Sequence, residues 1–582
     1  IGCDDRRVVG DMGPGRFVTT AGPNDPTVRP LAILALSFFF LSVICAPLSP
    51  LFDPDEGYYP ATAAETIKSG AFWDLRFNGA PRWDKPVLSY ALIEAAFQVL
   101  GTSAAAARVP SALEGAALIA VIGALVARLA GRRAGIISAI VVGTTLGVSI
   151  FSRIAHPEIA VVLSIVTTEL LLCAWLTTTD RRARRLVAVA AGVSVGYGIL
   201  AKGPVAVVLP GLALLSTLPF IEIDRPPFVA ALGDAALATA TAAALACPWF
   251  VAMVVRHGET FLDVAVWQQN VARYASATYG HRMNAFALVL PTLLGLLPWT
   301  AVLPGAMRRA RRRARNSREI LRNGMLASSI SALAFYSLSS SKLPSYAFVC
   351  IPPLAIVIGL ALDEDWASPR AMERSARRTA SLLGFGAAAL VVGSVASDYF
   401  LTSRRLFGAI HPLSDHVAAL LEPVTLPLAL MLALGAFLVI AARSPERRLT
   451  IVAGVGALAP IVVLVMARPV LAEMYPWKTF GAAIAERPAP AWLLGRRAPS
   501  LIFYAGQPVA STTRDALEHA IGATREGWIA LTREDWSQLS ADGGLKGIKE
   551  EGQEERKETR VVSQCGRMTL VWFETVPRAE TR

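Results

Sequence analysis

Charge is scarce in this chain: Asp, Glu, Lys and Arg make up only 17% of its 582 residues, and there are just six cysteines. So few charged groups cannot coat a soluble enzyme of this length. With 54% hydrophobic residues and a mean hydropathy of +0.48, the chain reads as a polytopic α-helical membrane protein. The cysteines at 3, 45, 173, 247, 350 and 565 have neither metal-ligand nor paired spacing, which excludes a disulfide framework. No internal repeat is found, and low complexity is confined to Ala-rich apolar runs suited to close helix packing. Acidic residues are the minority, leaving a net charge of +12. The excess arginines fall in short clusters between apolar runs, the positive-inside pattern, so nucleic acid is not expected as a partner.

Residues 1–30 form a polar tail, expected to be cytoplasmic, before an apolar run from Leu31 to Pro50. That run is about 20 residues, long enough to cross a bilayer and too long for a secretory core, so it reads as an uncleaved first helix. Further runs near 107–129, 134–150, 157–178, 186–200, 203–220, 228–255, 284–304, 323–340, 344–362, 380–400, 424–442 and 449–467 predict about thirteen spans in a membrane domain over 31–467. With the N-terminus cytoplasmic, every strongly basic loop (Arg132-Arg133, Arg181 to Arg185, Arg308 to Arg318, Arg374 to Arg378, and Arg443 with Arg447-Arg448) lands inside. The C-terminus and the first loop, 51–106, then lie outside. Residues 468–582 lose their spanning runs and read as a small external α/β domain. Ser500 to Tyr504 and Met568 to Phe573 are expected as strands, Arg514 to Ile521 as a helix and Lys546 to Arg560 as an exposed connection.

The acids of this chain are concentrated where the first span meets water, in Asp53-Pro54-Asp55-Glu56-Gly57-Tyr58-Tyr59. A carboxylate cluster at a bilayer edge loses solvation on one side and answers to a cation, a base role or a polar substrate. Arg82-Trp83-Asp84-Lys85-Pro86 stands at the other end of the same loop, so the two segments read as two walls of one site.

These motifs resemble those of the polyprenyl-phosphate-dependent GT-C glycosyltransferases. The resemblance rests on the acidic segment, Asn78 to Pro86, Ala107 to Ser111, Leu200 to Pro204, Pro248 to Phe250, Gln269 to Tyr274, Leu297 to Trp299 and Ser340 to Tyr346, in that order. Within the group, the chain is similar to the bacterial aminoarabinose transferases of family 83 and the protein mannosyltransferases. The resemblance implies a GT-C fold in a bacterial inner membrane, an external (periplasmic) active site, and an undecaprenyl-phosphate-linked sugar as donor.

Such a transfer needs a base for the acceptor hydroxyl, positive charge on the departing phosphate and a dry cavity. By the resemblance Asp55 is the general base, and Glu56 is a second catalytic candidate that orients Asp55 or binds an arginine; the same acids also suit a helix cap. Lys85, Arg82, Lys202, Arg273, Lys342, Tyr346 and Tyr59 are candidates for the donor phosphate or sugar. For Lys85 the alternative is snorkelling to the interface, and for Lys202 it is pairing with a buried acid. Asp84, Glu158 and His156 are candidate ligands of a divalent cation, with His156 alternatively capping its turn. Relatives carry a histidine in the loop where this chain has Asn270, a poorer ligand for zinc but acceptable for magnesium or manganese.

The implied activity is inverting transfer of a sugar from a polyprenyl-phosphate carrier to a lipid A-like or glycan acceptor, by a protein that acts as a monomer. Two alternatives stay open: a protein O-mannosyltransferase, and a lipid-linked glycan flippase with charges along the bilayer midplane.

Overall fold

The computed structural model describes residues 25–223, 226–272, 284, 286–310, 313–400, 411–541 and 555–577. The chain is a multi-span helical membrane protein. Among the described residues eight helices are long and apolar enough to cross a bilayer, or nine if the bent pair Val289–Gly295 and Trp299–Met307 is one span. This is fewer than the thirteen predicted. The missing runs are largely helical, but they are short, broken or charged at one end.

The first ten helices are α1 (Val28–Cys45), α2 (Asp55–Ser69), α3 (Leu88–Leu100), α4 (Ala104–Ala130), α5 (Arg132–Gly143), α6 (Leu146–Phe151), α7 (Glu158–Thr177), α8 (Arg181–Lys202), α9 (Val205–Thr217) and α10 (Phe228–Phe261). The run at 134–150 is split into α5 and α6 at Thr144-Thr145, and the run at 284–304 bends by 108°. The two interruptions satisfy one another, as backbone inside a bilayer must. Leu146 N–H donates to the Leu297 carbonyl at 2.9 Å, and the Trp299 indole N–H to Thr144 Oγ1 at 3.0 Å.

Charge separates toward the two ends of the bundle. At one end Arg133 and Arg318 pair with Asp363 at 2.5 and 2.8 Å, while Arg309 pairs with Asp365 and Arg322 with Glu364. There Arg318 also donates to the Ala130 carbonyl at the end of α4. Near the start of α4, Arg108 binds the first loop. Between those two positions lie 22 helical rises, about 33 Å at 1.5 Å each, close to the roughly 30 Å of a bilayer's hydrocarbon core.

The first loop is folded rather than extended. Its acids open α2, where negative charge complements the helix dipole, and Gly70 at φ +64° ends that helix. Next comes a hairpin, β1 (Arg76–Phe77) and β2 (Ala80–Pro81), turned by Asn78 and Gly79 with φ of +55° and +83°. Asn-Gly is the pair that accepts two positive φ values at low cost. The Glu65 carboxylate receives both turn N–H groups, at 2.6 and 2.8 Å.

The last membrane helix runs over Pro445–Met474, past the expected boundary at 467. The domain beyond it is α/β, as expected, built on a five-stranded sheet in the order β4-β3-β5-β7-β6. Its strands are β3 (Ala491–Leu494), β4 (Ala510–Thr512), β5 (Glu526–Thr532), β6 (Glu555–Cys565) and β7 (Met568–Pro577). β3 runs parallel to β4 and β5, while β7 is antiparallel to β5 and β6. Along β5, Trp528 and Ala530 join the core under Trp477–Glu486 and Pro499–Ala505, and Ile529 and Leu531 join the core under Arg514–Gly522 and Arg533–Ala541. Strand alternation thus covers both faces with helices. Two expectations are corrected. Ser500 to Tyr504 is helical, because Pro499 opens the turn and Gly506 at φ +64° closes it. Residues 555–560, expected as exposed connection, begin strand β6.

This domain rests on the first loop. Asp53 accepts from the backbone N–H of Ser500 at 3.0 Å and from its hydroxyl. Asn78 exchanges hydrogen bonds with the Val509 backbone at 3.0 and 3.2 Å, and Lys68 donates to the Gly506 carbonyl at 2.8 Å. Burial in this junction pushes the Asp53 carboxyl up to about 6, against the Ser500 hydrogen bonds that lower it. The folded chain therefore holds this proton more tightly than the unfolded one. The stability Asp53 contributes is complete below its unfolded pKa of 3.8 and is lost as pH rises through about 6. Between pH 4 and 7 the chain should lose about 2 kcal/mol relative to Asp53→Asn, which has no proton to release. Denaturation midpoints of the two proteins across that range measure it, and a flat difference would contradict the coupling.

Candidate functional site

The site end of the bundle is organised by one buried ion pair. Arg108 and Glu56 are 1% and 2% exposed and meet side-on, with Nε and Nη2 donating to the two carboxylate oxygens at 2.6 and 2.8 Å. Arg108 also donates to the carbonyls of Ala46, Ser49 and Pro50, at 2.5 to 2.9 Å. Glu56 further accepts from the N–H groups of Phe52 and Ala155, both at 2.9 Å. Four hydrogen bonds occupy this carboxylate, so Glu56 is the arginine-binding member of the acidic pair. Arg108 carries no role in the sequence reading. The signal was there, since a lone arginine entering a 27-residue apolar helix requires a partner as much as Lys202 does.

Asp55, by contrast, is exposed at the first turn of α2. One helical turn on, Tyr59 is buried, with ring centroids 5.3 Å from Tyr90 and 5.2 Å from His156. Burial holds the Tyr59 phenol well above its ordinary pKa, so it stays protonated. Burial likewise pushes the His156 imidazole down to about 4, which keeps it neutral at pH 7. The charges of Glu158, Lys202, Asp55 and Lys85 all act on that titration, which gathers those four residues around His156.

The α7–α8 hairpin sets the floor. Glu158 opens α7 and Lys202 closes α8, each at the helix pole that suits its charge, and their side chains form a direct, short ion pair. Pairing with a buried acid, the alternative kept open for Lys202, is what the structure has. Glu158 Oε2 has no hydrogen-bond partner among the described residues. Lys202 Nζ also lies 5.3 Å from the Tyr346 ring, itself stacked on Tyr336 at 4.5 Å. Lys342 is buried and donates to the Ser339 carbonyl at 2.6 Å, which ties it to its own turn. Gly203, at φ +89°, lets the chain turn after Lys202, and a Cβ there would stand 3.3 Å from Asn270 Oδ1. The Gln269-Asn270 segment is therefore packed on the Lys202 turn.

The other wall is the Arg82–Lys85 segment. Arg82 pairs with Asp84 at 2.6 Å and lies 3.9 Å over the Tyr58 ring. Trp83 is buried against His257 and Phe261, at 4.7 and 5.6 Å. Arg273 lies outside the described residues. The expected cation set does not assemble: among the described residues no three His, Cys, Asp or Glu side chains form a group able to hold a metal ion. Asp84 is given to Arg82, Glu158 to Lys202, and His156 Nδ1 faces the Glu158 N–H at 3.4 Å. The donors present do not fit a metal, so no step below is routed through one.

Residues 84–251 match the sequence profile described as dolichyl-phosphate-mannose-protein mannosyltransferase. An undecaprenyl phosphate-alpha-4-amino-4-deoxy-L-arabinose arabinosyl transferase of Pseudomonas aeruginosa is 28% identical over 375 residues, 63% of this chain and 64% of that protein. One from Sodalis glossinidius is 30% identical over 332 residues, 56% and 57% of the two chains. The matches thus span less than two thirds of these relatives. Among solved structures, ArnT from Cupriavidus metallidurans bound to undecaprenyl phosphate superposes with a TM-score of 0.73 at 20% identity, over 93% of this chain and 97% of that one.

Removing one partner of a buried pair strands the other charge, at a cost of about 3–5 kcal/mol. Glu56→Ala and Arg108→Met should each cost that much in unfolding experiments, with the double variant less than additive. Additive losses would show that the two side chains do not act as a unit. The chain thus has the fold of ArnT, and over more than half its length its sequence is similar to undecaprenyl phosphate-aminoarabinose arabinosyl transferases.

Proposed function

We propose that the chain transfers a sugar from undecaprenyl phosphate, or a similar polyprenyl phosphate, to a lipid A-like or glycan acceptor at the external face of a bacterial inner membrane. In this reading the N-terminus is cytoplasmic and the C-terminal domain periplasmic. The observation that carries it is the convergence of Asp55, Lys85, Glu158 and Lys202 around His156 at one end of the bundle. Asp55 is the one of the two adjoining acids left exposed.

The acceptor oxygen attacks the anomeric carbon from the face opposite the phosphate and loses its proton to the Asp55 carboxylate. The bond from the anomeric carbon to the phosphate oxygen breaks, and the carrier phosphate departs with the electron pair, inverting the centre. Lys85 and Lys202 stabilise the negative charge that this oxygen gains, with Arg82 behind them and Tyr346 as a sugar contact. Neutral His156 and buried Tyr59 exclude water without adding charge. Glu158 holds Lys202 in place.

The match of 84–251 to a mannosyltransferase profile favours a second reading in which the acceptor is a polypeptide hydroxyl. Purified chain in nanodiscs, given a labelled undecaprenyl-phosphate sugar with lipid A and with protein, separates the two by where label appears. Label in lipid supports the first reading and label in protein the second. Movement of the donor across the bilayer without transfer would overturn both in favour of a flippase. Asp55→Asn should lower kcat by about 10²–10⁴ with donor binding kept. Lys85→Met should mainly raise KM for the donor, and an unchanged KM would remove Lys85 from the phosphate site.

A further inference from the structure

The first loop carries an aromatic pair that the transfer site does not use. Phe72 and Trp73 are 53% and 56% exposed, and Trp73 has φ +78°, a backbone region that bulky side chains avoid. Its neighbours fasten it there. The Trp249 indole N–H donates to the Trp73 carbonyl at 3.0 Å, and buried Asp74 binds Arg256 at 3.2 Å and His257 at 2.9 Å. All three partners lie near the far end of α10, whose start exposes Phe228 and Val229 and whose end exposes Val251 and Val255. From Phe228 to Trp249 is about 32 Å of helix, one hydrocarbon thickness, and Arg256 lies about 10 Å further on. The pair therefore stands where hydrocarbon gives way to headgroups, continuous with the apolar surface of α10. Arg256, with 56% of its side chain exposed, lies in the headgroup layer beyond it.

We propose that Phe72 and Trp73 are a membrane-inserted anchor of the first loop, seated in the outer leaflet, with Arg256 on the phosphate of an anionic lipid. Aromatic side chains prefer this layer, and lipid phosphate adds attraction for a cation at its surface. The anchor is wired to the site: Asp74 holds His257, and His257 stacks on Trp83 between Arg82 and Asp84. Seating the pair fixes the depth of the Arg82–Lys85 segment relative to the leaflet in which a lipid carrier's phosphate lies. Only that last consequence rests on the proposed transfer activity.

Insertion is tested without an activity assay. A nitroxide on Phe72→Cys, with the native cysteines replaced and the full chain in nanodiscs containing phosphatidylglycerol, reports collisions with oxygen and with a water-soluble nickel chelate. Oxygen should dominate at 72, and nickel should dominate at a control label on Glu534→Cys of the C-terminal domain. Equal nickel access at both positions would overturn the anchor. The Phe72→Ser/Trp73→Ser double variant should keep its melting temperature in detergent yet raise KM for the lipid-linked donor several-fold in nanodiscs. An unchanged KM would break the link to the site. Loss of transfer by the parent chain would instead count against the function, leaving the label result standing.

Discussion

The buried Arg108–Glu56 pair is the constraint on which the site depends. Two charges taken out of water are expensive, and their mutual attraction repays this only when the remaining hydrogen-bonding capacity is filled. Here it is. Arg108 gathers three carbonyls from the end of the first span, while Glu56 gathers N–H groups from Phe52 and from Ala155, the residue before His156. One pair thus joins the first span, the loop acids, α4 and the entrance to α7. Asp55 gains its exposed place beside the site because its neighbour is committed to this junction.

A second order is set by the bilayer. The acids Asp363, Glu364 and Asp365 neutralise four arginines at one end of the bundle, and the α7–α8 hairpin carries Glu158 and Lys202 to the other. Charges at both ends are largely engaged with protein partners. A polar headgroup arriving at the site end therefore meets a preorganised lattice of cations and acids, which costs little to rearrange when charge moves. The C-terminal domain closes over the back of the same loop through Asp53, Lys68 and Asn78, stiffening the helix that presents Asp55.

Much of this was legible in the sequence, and the exceptions have physical reasons. Charge asymmetry between loops marked the two ends, and the order of motifs singled out Asp55, Lys85, Glu158 and Lys202, of which Glu158 and Lys202 meet in a direct ion pair. The apolar runs do not map one to one on the eight or nine spanning helices of the described residues, because apolar length alone cannot register Thr144-Thr145 or the bend at Leu297, where two broken helices complete each other's hydrogen bonds. Ser500 to Tyr504 reads equally as strand or helix by periodicity, and only the bracketing Pro499 and Gly506 decide. The Asn78-Gly79 hairpin was written plainly but lay inside a segment treated as loop. Two of the residues chosen as cation ligands, Asp84 and Glu158, pair with Arg82 and Lys202, because sequence shows which carboxylates are near a membrane edge but not which side chains reach them.

The most direct measurement of whether these residues form one headgroup site is photocrosslinking with a polyprenyl phosphate carrying a reactive group beside its phosphate, followed by peptide mapping of the full chain in nanodiscs. The account expects label in the segments holding Asp55, Arg82–Lys85, His156–Glu158, Lys202 and Tyr346. Label concentrated at Arg133, Arg309 or Arg318, at the other end of the bundle, would contradict it.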